Sequence, residues 1–321
     1  MKFLHKIFCV LAFASPLVFA QTPVSDPPQK VYESVWAWKL DTPLRDVYFL
    51  GEDHFFVVPK NIQISHSIGT QILSIADPVL CENTTQFVDP SNKGLEQRLS
   101  AKTWQLLKTA IRAALIKSSE YRSDSPELQK NIDAELRKLR YSNYMDLTQF
   151  FPRFAHTLTN RKLLAEITKD VKVVPGFIAT HALKRCEFME SAEIKKNWNP
   201  GCEVDDASYE KLITAYLPDF YNEPEKKLKI EQYETESMRP GADTDSLEKV
   251  LRANLGYEVM VQCSLKPRHE RWMPIIMRQL NVKGAPLVIV AGSAHIVGEY
   301  GLLNQLCQAG YCGARRIFKL E

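Results

Sequence analysis

The sequence predicts an α/β protein with a mixed central β-sheet flanked by helices on both faces, and three features indicate this class. Residues 34–40 and 46–50 are aromatic and β-branched runs on either side of a Thr-Pro turn, which is typical of a β-hairpin. Residues 286–291 (PLVIVA) form a continuous apolar run, the pattern of a strand buried on both faces. Amphipathic stretches separate these strands, so we expect a largely helical insertion at about residues 90–260.

The remaining elements follow from hydrophobic spacing and from start and stop residues. We predict helices at residues 61–76, near 94–118, at 126–140, 205–216, 243–261 and 296–308, and strands at residues 78–81 and 315–320. The second long helix begins with Ser125-Pro126-Glu127, a favourable helix N-terminus.

The first twenty residues have the parts of a secretory signal peptide. A short basic segment with Lys2 and Lys6 precedes the apolar residues 7–14, and residues 18–20 (VFA) place small side chains before a cleavage site. The apolar run is shorter than the roughly 18 residues that a retained membrane anchor needs. We therefore expect cleavage before Gln21 and export to the periplasm or the medium.

The rest of the chain is predicted to be one exported domain without a membrane anchor. Residues 21–33 are expected to form a flexible leader and residues 34–321 a single α/β domain. No later segment approaches the length of a transmembrane helix, so we expect no stable membrane insertion after cleavage. The formal net charge is only +3 at pH 7, which gives no electrostatic case for binding nucleic acid.

The cysteines favour a structural role in an oxidising compartment. Of seven cysteines, Cys9 lies in the predicted signal peptide. Two pairs are close in sequence and are candidates for local disulfides, namely Cys307–Cys312 and Cys186–Cys202. Cys81 and Cys263 are left as a third pair or as buried thiols. The sequence contains no Cys-x-x-Cys, so it supports neither a thioredoxin-type site nor a zinc ribbon.

A short pattern occurs near both ends of the chain. Residues 47–54 (VYFLGEDH) and residues 287–295 (LVIVAGSAH) each run from a predicted strand into Gly-x-x-His. Ligand sites of α/β proteins lie outside the carboxyl ends of strands, and glycine permits a sharp turn there. If the two strands are neighbours, His54 and His295 meet at one site.

Carboxylates accompany these histidines. Asp53 precedes His54, and Glu82 follows the predicted strand at residues 78–81. Imidazole nitrogens and carboxylate oxygens are the donor set of a catalytic divalent-metal site with an open water position. We expect His54, His295 and Glu82 to be metal ligands, with Glu82 or Asp53 alternatively serving as the general base. The helix predicted after His295 would offer a positively polarised N-terminus to a developing oxyanion.

Each of these residues also has an ordinary structural interpretation. A single Gly-x-x-His is common by chance, and only the repetition after two apolar strands favours a site. We leave four further histidines as structural: His66, His156, His181 and His269. Motifs of zincins, serine hydrolases, P-loops and dinucleotide-binding folds do not occur in the sequence.

Several of these motifs together match one family. They are the tryptophan-containing strand at residues 35–39, the strand ending in Gly-x-x-His at 47–54, the strand ending in glutamate at 76–82, the Arg-x-x-x-Trp segment at 268–272, and the second Gly-x-x-His with its following glycines at 292–302. In these features the chain resembles the TraB/GumN/Tiki superfamily. The resemblance covers about residues 35–89 and 265–318.

The resemblance implies an α/β fold and, for the Tiki branch, a metal-dependent peptidase that cleaves a peptide or protein substrate. His54, His295 and Glu82 match the family's metal-site positions, with manganese or cobalt as the implied metal and zinc as an alternative. Arg268 would orient a carboxylate or contact the substrate. The chain departs from the family in having Asp53 before His54, and His269 where an asparagine is usual. The rival interpretation is a non-catalytic periplasmic protein that binds a metal or a metal-bearing ligand in the same cleft.

Overall fold

The structure is a computed structural model that describes residues 30–52, 55–83, 94–118, 126–139, 171–190, 205–218 and 265–320, with six isolated positions between 222 and 261. The predicted signal peptide, most of the predicted leader, and both Asp53 and His54 lie outside the described residues. So does most of the helix predicted at residues 243–261. Within the described ranges, no helix is both long enough and apolar enough to cross a bilayer.

The described chain begins with five strands and continues with helices and further strands. In order they are β1 (Lys30–Glu33), β2 (Trp36–Asp41), β3 (Asp46–Glu52), β4 (Phe55–Pro59), β5 (Ile62–Ser65), α1 (Ser67–Ile75), β6 (Val79–Cys81), α2 (Leu95–Arg98), α3 (Ala101–Ser118), α4 (Pro126–Leu139), β7 (Val171–Pro175), a π-helical turn (Ile178–Ala182), a 3₁₀ turn (Leu183–Arg185), β8 (Cys186–Phe188), α5 (Asp206–Tyr216), α6 (Lys266–Leu280), β9 (Leu287–Gly292), α7 (Ser293–Ile296), α8 (Leu302–Gln308) and β10 (Arg315–Ile317).

Six of the described strands form one mixed sheet in the order β10–β2–β3–β9–β6–β8. The pairs β10–β2 and β2–β3 are antiparallel, whereas β3–β9, β9–β6 and β6–β8 are parallel. The predicted hairpin and the predicted mixed α/β fold are therefore confirmed. Because four neighbouring strands are parallel, their carboxyl ends lie along the same edge of the sheet.

The two strands that end in Gly-x-x-His are direct neighbours. β3 pairs with β9 so that Gly51 lies opposite Ala291 and Glu52 opposite Gly292. A Cβ atom at Gly51 would lie 3.0 Å from the Trp38 ring and 3.3 Å from the Cα of Ser293. Glycine is needed here because the chain that leaves β9 approaches the β3 backbone closely.

Helices cover both faces of the sheet, because successive side chains of a buried strand such as β9 point to opposite faces and both sets are apolar. Leu287 and Ile289 pack with Trp272 and other residues of α6, whereas Val288 and Val290 pack on the opposite face with α1. All four strand residues are fully buried. Burial of each such side chain contributes roughly 1.5–3 kcal/mol to the free energy of unfolding. The apolar run at residues 286–291 is therefore a central strand, as predicted.

Two predictions near the N-terminus are wrong in part. The leader does not extend to residue 33, since Lys30–Glu33 forms β1 and pairs in parallel with β5. The helix predicted at residues 61–76 is shorter, because Ile62–Ser65 forms β5 and α1 begins only at Ser67. In β5 the apolar residues alternate with polar ones, and this period of two favours a strand.

The insertion is only partly helical. Within residues 90–260 the structure describes α2 to α5, but also β7 and β8. β8 pairs with β6 and is the edge strand of the main sheet, so the insertion contributes directly to the core fold.

One predicted disulfide is confirmed and one is wrong. Cys307 and Cys312 are bonded, with their Cα atoms 4.1 Å apart. Cys186 is bonded to Cys81 and not to Cys202, because the parallel pairing of β6 with β8 brings it within 5.4 Å, Cα to Cα, of Cys81. The two disulfides found among the described residues are compatible with an oxidising compartment. Cys202 and Cys263 lie outside the described residues.

Candidate functional site

Glu82 lies at the carboxyl edge of the parallel strands, directly after β6, and is buried. Its Oε2 accepts a hydrogen bond from the backbone N–H of Gly292 at 2.6 Å. Its Oε1 accepts a hydrogen bond from Nη1 of Arg268. These two donors compensate the burial of the carboxylate and fix its orientation.

Arg268 is in the first turn of α6, and its buried guanidinium lies between two carboxylates. Besides its contact with Glu82, its Nε and Nη2 donate to Oε1 and Oε2 of Glu190 at 2.7 and 2.8 Å. Nη2 also donates to the carbonyl oxygen of Asn83 at 3.0 Å. Burial lowers the pKa of Arg268, but Glu82 and Glu190 outweigh this effect, so the pKa lies above its ordinary value and the side chain stays charged.

Glu190 is a site residue that sequence reasoning missed. It follows β8 by two residues, is almost fully buried, and also accepts a hydrogen bond from Nε1 of Trp272 at 3.1 Å. β8 is only three residues long, and two of them are exposed, so it has no hydrophobic pattern that predicts a strand. Without that strand the sequence offers no means of placing Glu190 beside Glu82.

His295 lies within α7 and is buried against the same cluster. Its Nε2 is 3.3 Å from Oε1 of Glu82 and 3.2 Å from Nη1 of Arg268. Burial lowers the pKa of His295 below its ordinary value, although Glu82 acts in the opposite direction. The imidazole is therefore neutral at neutral pH and has a lone pair available.

His269 contacts His295 on the side away from Glu82. Its Nε2 is 3.0 Å from Nδ1 of His295, and its Nδ1 is 2.9 Å from the carbonyl oxygen of Tyr300. Burial and the neighbouring His295 lower the pKa of His269 to about 2. The sequence alone predicts a structural role for this residue. Its position beside Arg268 and three residues before Trp272, which places all three near one helix face, was the available signal.

The helix predicted at residues 296–308 is wrong in its boundaries. α7 already begins at Ser293, and α8 starts only at Leu302. Gly298 between them has a φ of +89°, and a Cβ atom at Gly301 would lie 2.3 Å from the carbonyl oxygen of Val297. No helix therefore begins directly after His295, which lies inside α7, and the Gly292 N–H at the start of α7 already donates to Glu82.

The structure thus brings together three of the predicted site residues, Glu82, Arg268 and His295. Asp53 and His54 lie outside the described residues. Glu52, which precedes them, is buried, and its Oε2 accepts a hydrogen bond from the N–H of Ile178 at 2.7 Å.

The arrangement of Glu82 and His295 can be tested against the needs of a metal ion. Two ligand atoms that each lie roughly 2.0–2.2 Å from one cation are about 3.0–3.5 Å apart. The separation of 3.3 Å between Oε1 of Glu82 and Nε2 of His295 fits this range. Within the described part of the chain, no group of three or more His, Cys, Asp or Glu side chains is placed to hold a metal. The spacing of this pair is therefore compatible with two ligands of one cation, and the described residues supply no third ligand.

No protein-family model matches the chain, and neither does any curated protein or solved structure.

Proposed function

We propose that the protein is a metal-dependent hydrolase that acts on peptides, with a divalent cation held by Glu82, His295 and His54. The observation that supports this most is the buried pair formed by Glu82 and His295. A carboxylate oxygen and a neutral imidazole nitrogen lie 3.3 Å apart at the carboxyl edge of the parallel strands. This edge is where α/β proteins place their ligand sites.

The pairing of β3 with β9 supports His54 as the third ligand. Both strands end in Gly-x-x-His, and they are parallel neighbours with Gly51 opposite Ala291. His54 follows the last residue of β3 by only two positions, and His295 follows the last residue of β9 by three. The chain therefore emerges from both strands at the same edge of the sheet.

Arg268 constrains how a cation would bind. Its Nη1 contacts both Glu82 and His295, so the cation would take over these two contacts. The other contacts of Arg268, to Glu190 and Asn83, use Nε and Nη2 and are unaffected. Held by these, Arg268 keeps its position, and Nη1 becomes available to donate to a carbonyl or carboxylate oxygen of the substrate.

The contacts of each residue indicate its role, either as metal ligand or as general base. A divalent cation held by these residues would supply a bound water of lowered pKa and would polarise a peptide carbonyl. Glu82 has both oxygens engaged and a fixed orientation, which suits a ligand better than a base. We therefore assign the general base to Asp53, which would accept the proton of the attacking water.

The resemblance to the Tiki branch favours manganese or cobalt as the metal, and the nitrogen and oxygen donors also suit zinc. The two described disulfides are compatible with export, and we place the protein in the periplasm on the basis of its predicted signal peptide.

The contacts of Arg268 also favour a second candidate. A guanidinium that contacts both Glu82 and His295 stabilises the cluster as a cation would. A protein with this cluster is able to bind a metal-bearing ligand in the cleft without activating water. The second candidate is therefore a non-catalytic periplasmic binding protein.

One experiment separates the two candidates. The exported, mature protein is treated with chelator, reloaded with manganese, cobalt or zinc, and incubated with a peptide library that is analysed by mass spectrometry. We expect metal-dependent cleavage by the wild type, none by Glu82→Gln, and unchanged cleavage by Glu187→Gln, whose carboxylate is exposed on β8. Metal binding without cleavage would favour the binding protein, and the absence of both would refute both candidates.

A further inference from the structure

His269 and His295 form a buried imidazole pair that the proposed activity does not by itself require. Nε2 of His269 and Nδ1 of His295 are 3.0 Å apart, a hydrogen-bond distance, and the two rings meet at an interplanar angle of 65°. We propose that His269 is a positioning residue, which fixes the tautomer of His295 so that Nε2 of His295 presents its lone pair towards Glu82.

A neutral imidazole has one N–H and one lone pair. Each of the two rings has one nitrogen against the other ring and one against a group outside the pair, so a single N–H and a single lone pair per ring satisfy its contacts. The hydrogen bond between them then has two possible directions. If His295 donates from Nδ1, its Nε2 has the lone pair. If His269 donates from Nε2, the N–H of His295 is on Nε2 and points towards Glu82.

The groups at the two ends of this row of hydrogen bonds, Tyr300 and Arg268, decide between the two directions. At one end, the carbonyl oxygen of Tyr300 only accepts, and it lies 2.9 Å from Nδ1 of His269. At the other end, Nη1 of Arg268 only donates, and it lies 3.2 Å from Nε2 of His295. Both end groups are satisfied by the same set of hydrogen-bond directions. Arg268 donates to Nε2 of His295, Nδ1 of His295 donates to Nε2 of His269, and Nδ1 of His269 donates to Tyr300.

Glu82 and Gln305 favour the opposite direction. Oε1 of Glu82 only accepts and lies 3.3 Å from Nε2 of His295, but it is already the acceptor for Nη1 of Arg268. Gln305 is a donor beside the other imidazole. Its Nε2 is 2.8 Å from the carbonyl oxygen of Tyr300 and 2.7 Å from Nδ1 of His269. Gln305 is partly exposed, and its amide is able to turn, whereas Arg268 is buried and held in two places by Glu190. If Nδ1 of His269 has the proton, two donors meet at Gln305, and a turn of the Gln305 amide removes the conflict. If Nε2 of His295 has the proton, two donors meet at Arg268, which is held in place. The direction set by Arg268 and Tyr300 therefore prevails.

The tautomer determines what His295 can bind. A lone pair on Nε2, beside Glu82, suits a cation, whereas an N–H at this position excludes one. Partners that orient a ligating histidine commonly change metal affinity by about 10–100-fold. The tautomer follows from the hydrogen bonds alone, and only the effect on metal affinity rests on the proposed function.

The tautomer is measurable by ¹⁵N NMR of histidine-labelled mature protein at pH 7.5 in chelator, with the His295 signals assigned by comparison with His295→Gln. In the wild type we expect a protonated Nδ1 and an unprotonated Nε2. His269→Phe removes the acceptor of the Nδ1–H, so we expect the proton to move to Nε2, where Glu82 accepts it. Gln305→Leu and the control His181→Phe should keep the wild-type tautomer.

Zinc titration of the same proteins gives the second readout. We expect His269→Phe to bind zinc about 10–100-fold more weakly than the wild type and His181→Phe to bind it equally well. The inference is overturned if Nε2 of His295 is protonated in the wild type, if the tautomer is unchanged in His269→Phe, or if it changes in Gln305→Leu. If the tautomers are as expected but no protein binds a metal, the inference stands and the proposed function fails.

Discussion

Arg268 and Glu190 form a two-pronged ion pair in the interior, with N–O distances of 2.7 and 2.8 Å and side chains that are 7% and 0% exposed. The pair joins the first turn of α6 to the chain that leaves the edge strand β8. It also holds Nε and Nη2 of Arg268, so Nη1 faces Glu82 and His295. The geometry of the site therefore depends on a residue from the insertion.

Replacing Glu190 should destabilise the protein strongly. In Glu190→Ala the buried Arg268 keeps only part of its compensation, and breaking a buried pair in this way costs about 3–5 kcal/mol. Urea denaturation monitored by tryptophan fluorescence measures the change. Glu187→Ala, on the exposed side of β8, is the matched control and should stay within about 0.5 kcal/mol of the wild type. A loss of less than 1 kcal/mol in Glu190→Ala would contradict the importance of the pair.

The two disulfides should differ in their contribution to stability. The Cys81–Cys186 bond closes a separation of 105 residues, and Cys307–Cys312 closes one of 5. Loss of unfolded-state entropy then predicts a stabilisation of about 4.8 kcal/mol for the first bond and about 2.2 kcal/mol for the second. Pairwise replacement by alanine, with denaturation of each variant, tests the order. Peptide mapping of the oxidised wild type checks the pairing itself, and a Cys186–Cys202 peptide would contradict it.

Strands with a clear hydrophobic pattern were predictable from the sequence. Strands that exist only because they pair with a strand far away in the sequence were not. Residues 286–291 are apolar without interruption, so β9 was identified as a buried strand. β8 has two exposed residues of three and exists because β6 pairs with it. This one missed pairing explains both the wrong partner for Cys186 and the omission of Glu190.

The candidate site shows the same division. Glu82 and His295 were found because each follows a predicted strand, and Arg268 because it belongs to a motif of the resembled family. His269 is interpreted as structural because it lacks the strand and Gly-x-x-His context of the other two histidines. Only the packing of α6 against α7 shows that its ring meets His295.

The break between α7 and α8 should be sensitive to a single methyl group. A Cβ atom at Gly301 would lie 2.3 Å from the carbonyl oxygen of Val297, so Gly301→Ala requires a backbone shift next to α7. We expect a loss of roughly 1–3 kcal/mol and a lower metal affinity, because His295 moves with α7. Gly310→Ala is the control. It has a φ of +97° but nothing within 4 Å of the added atom, so it should show backbone strain alone, about 1 kcal/mol, and unchanged metal affinity. Equal effects of the two substitutions on metal affinity would contradict this account.

The buried neutral histidines predict a pH dependence of stability. The pKa of His269 is about 2 in the folded protein and near 6.5 when unfolded, so between these values the unfolded chain binds a proton that the folded chain does not. The contribution of His269 is complete above pH 6.5 and falls by about 1.4 kcal/mol per pH unit as the pH decreases towards 2. Denaturation in chelator between pH 7.5 and 4.5 should therefore show a smaller loss for His269→Phe than for the wild type. His181→Phe is the control variant, and parallel pH profiles of all three proteins would show that His269 is not buried in neutral form.

The last prediction concerns the two Gly-x-x-His histidines as a pair. Metal content should fall in both His54→Ala and His295→Ala, because each removes one of the three proposed protein ligands, and metal-dependent peptide cleavage should be lost with it. His295→Ala also leaves Nε2 of the buried His269 without its present partner, so we expect this variant to lose about 1–3 kcal/mol of stability in addition. Elemental analysis, thermal midpoint and peptide cleavage are measured together, with His181→Ala as the control because its ring stacks on Phe177 and does not contact Glu82 in any described interaction. Wild-type metal content in both His54→Ala and His295→Ala would show that the metal, if bound, lies elsewhere. Loss of metal from His295→Ala alone would keep the Glu82–His295 pair as the site and would remove His54 from it, so that the third ligand would have to be sought among the neighbouring carboxylates.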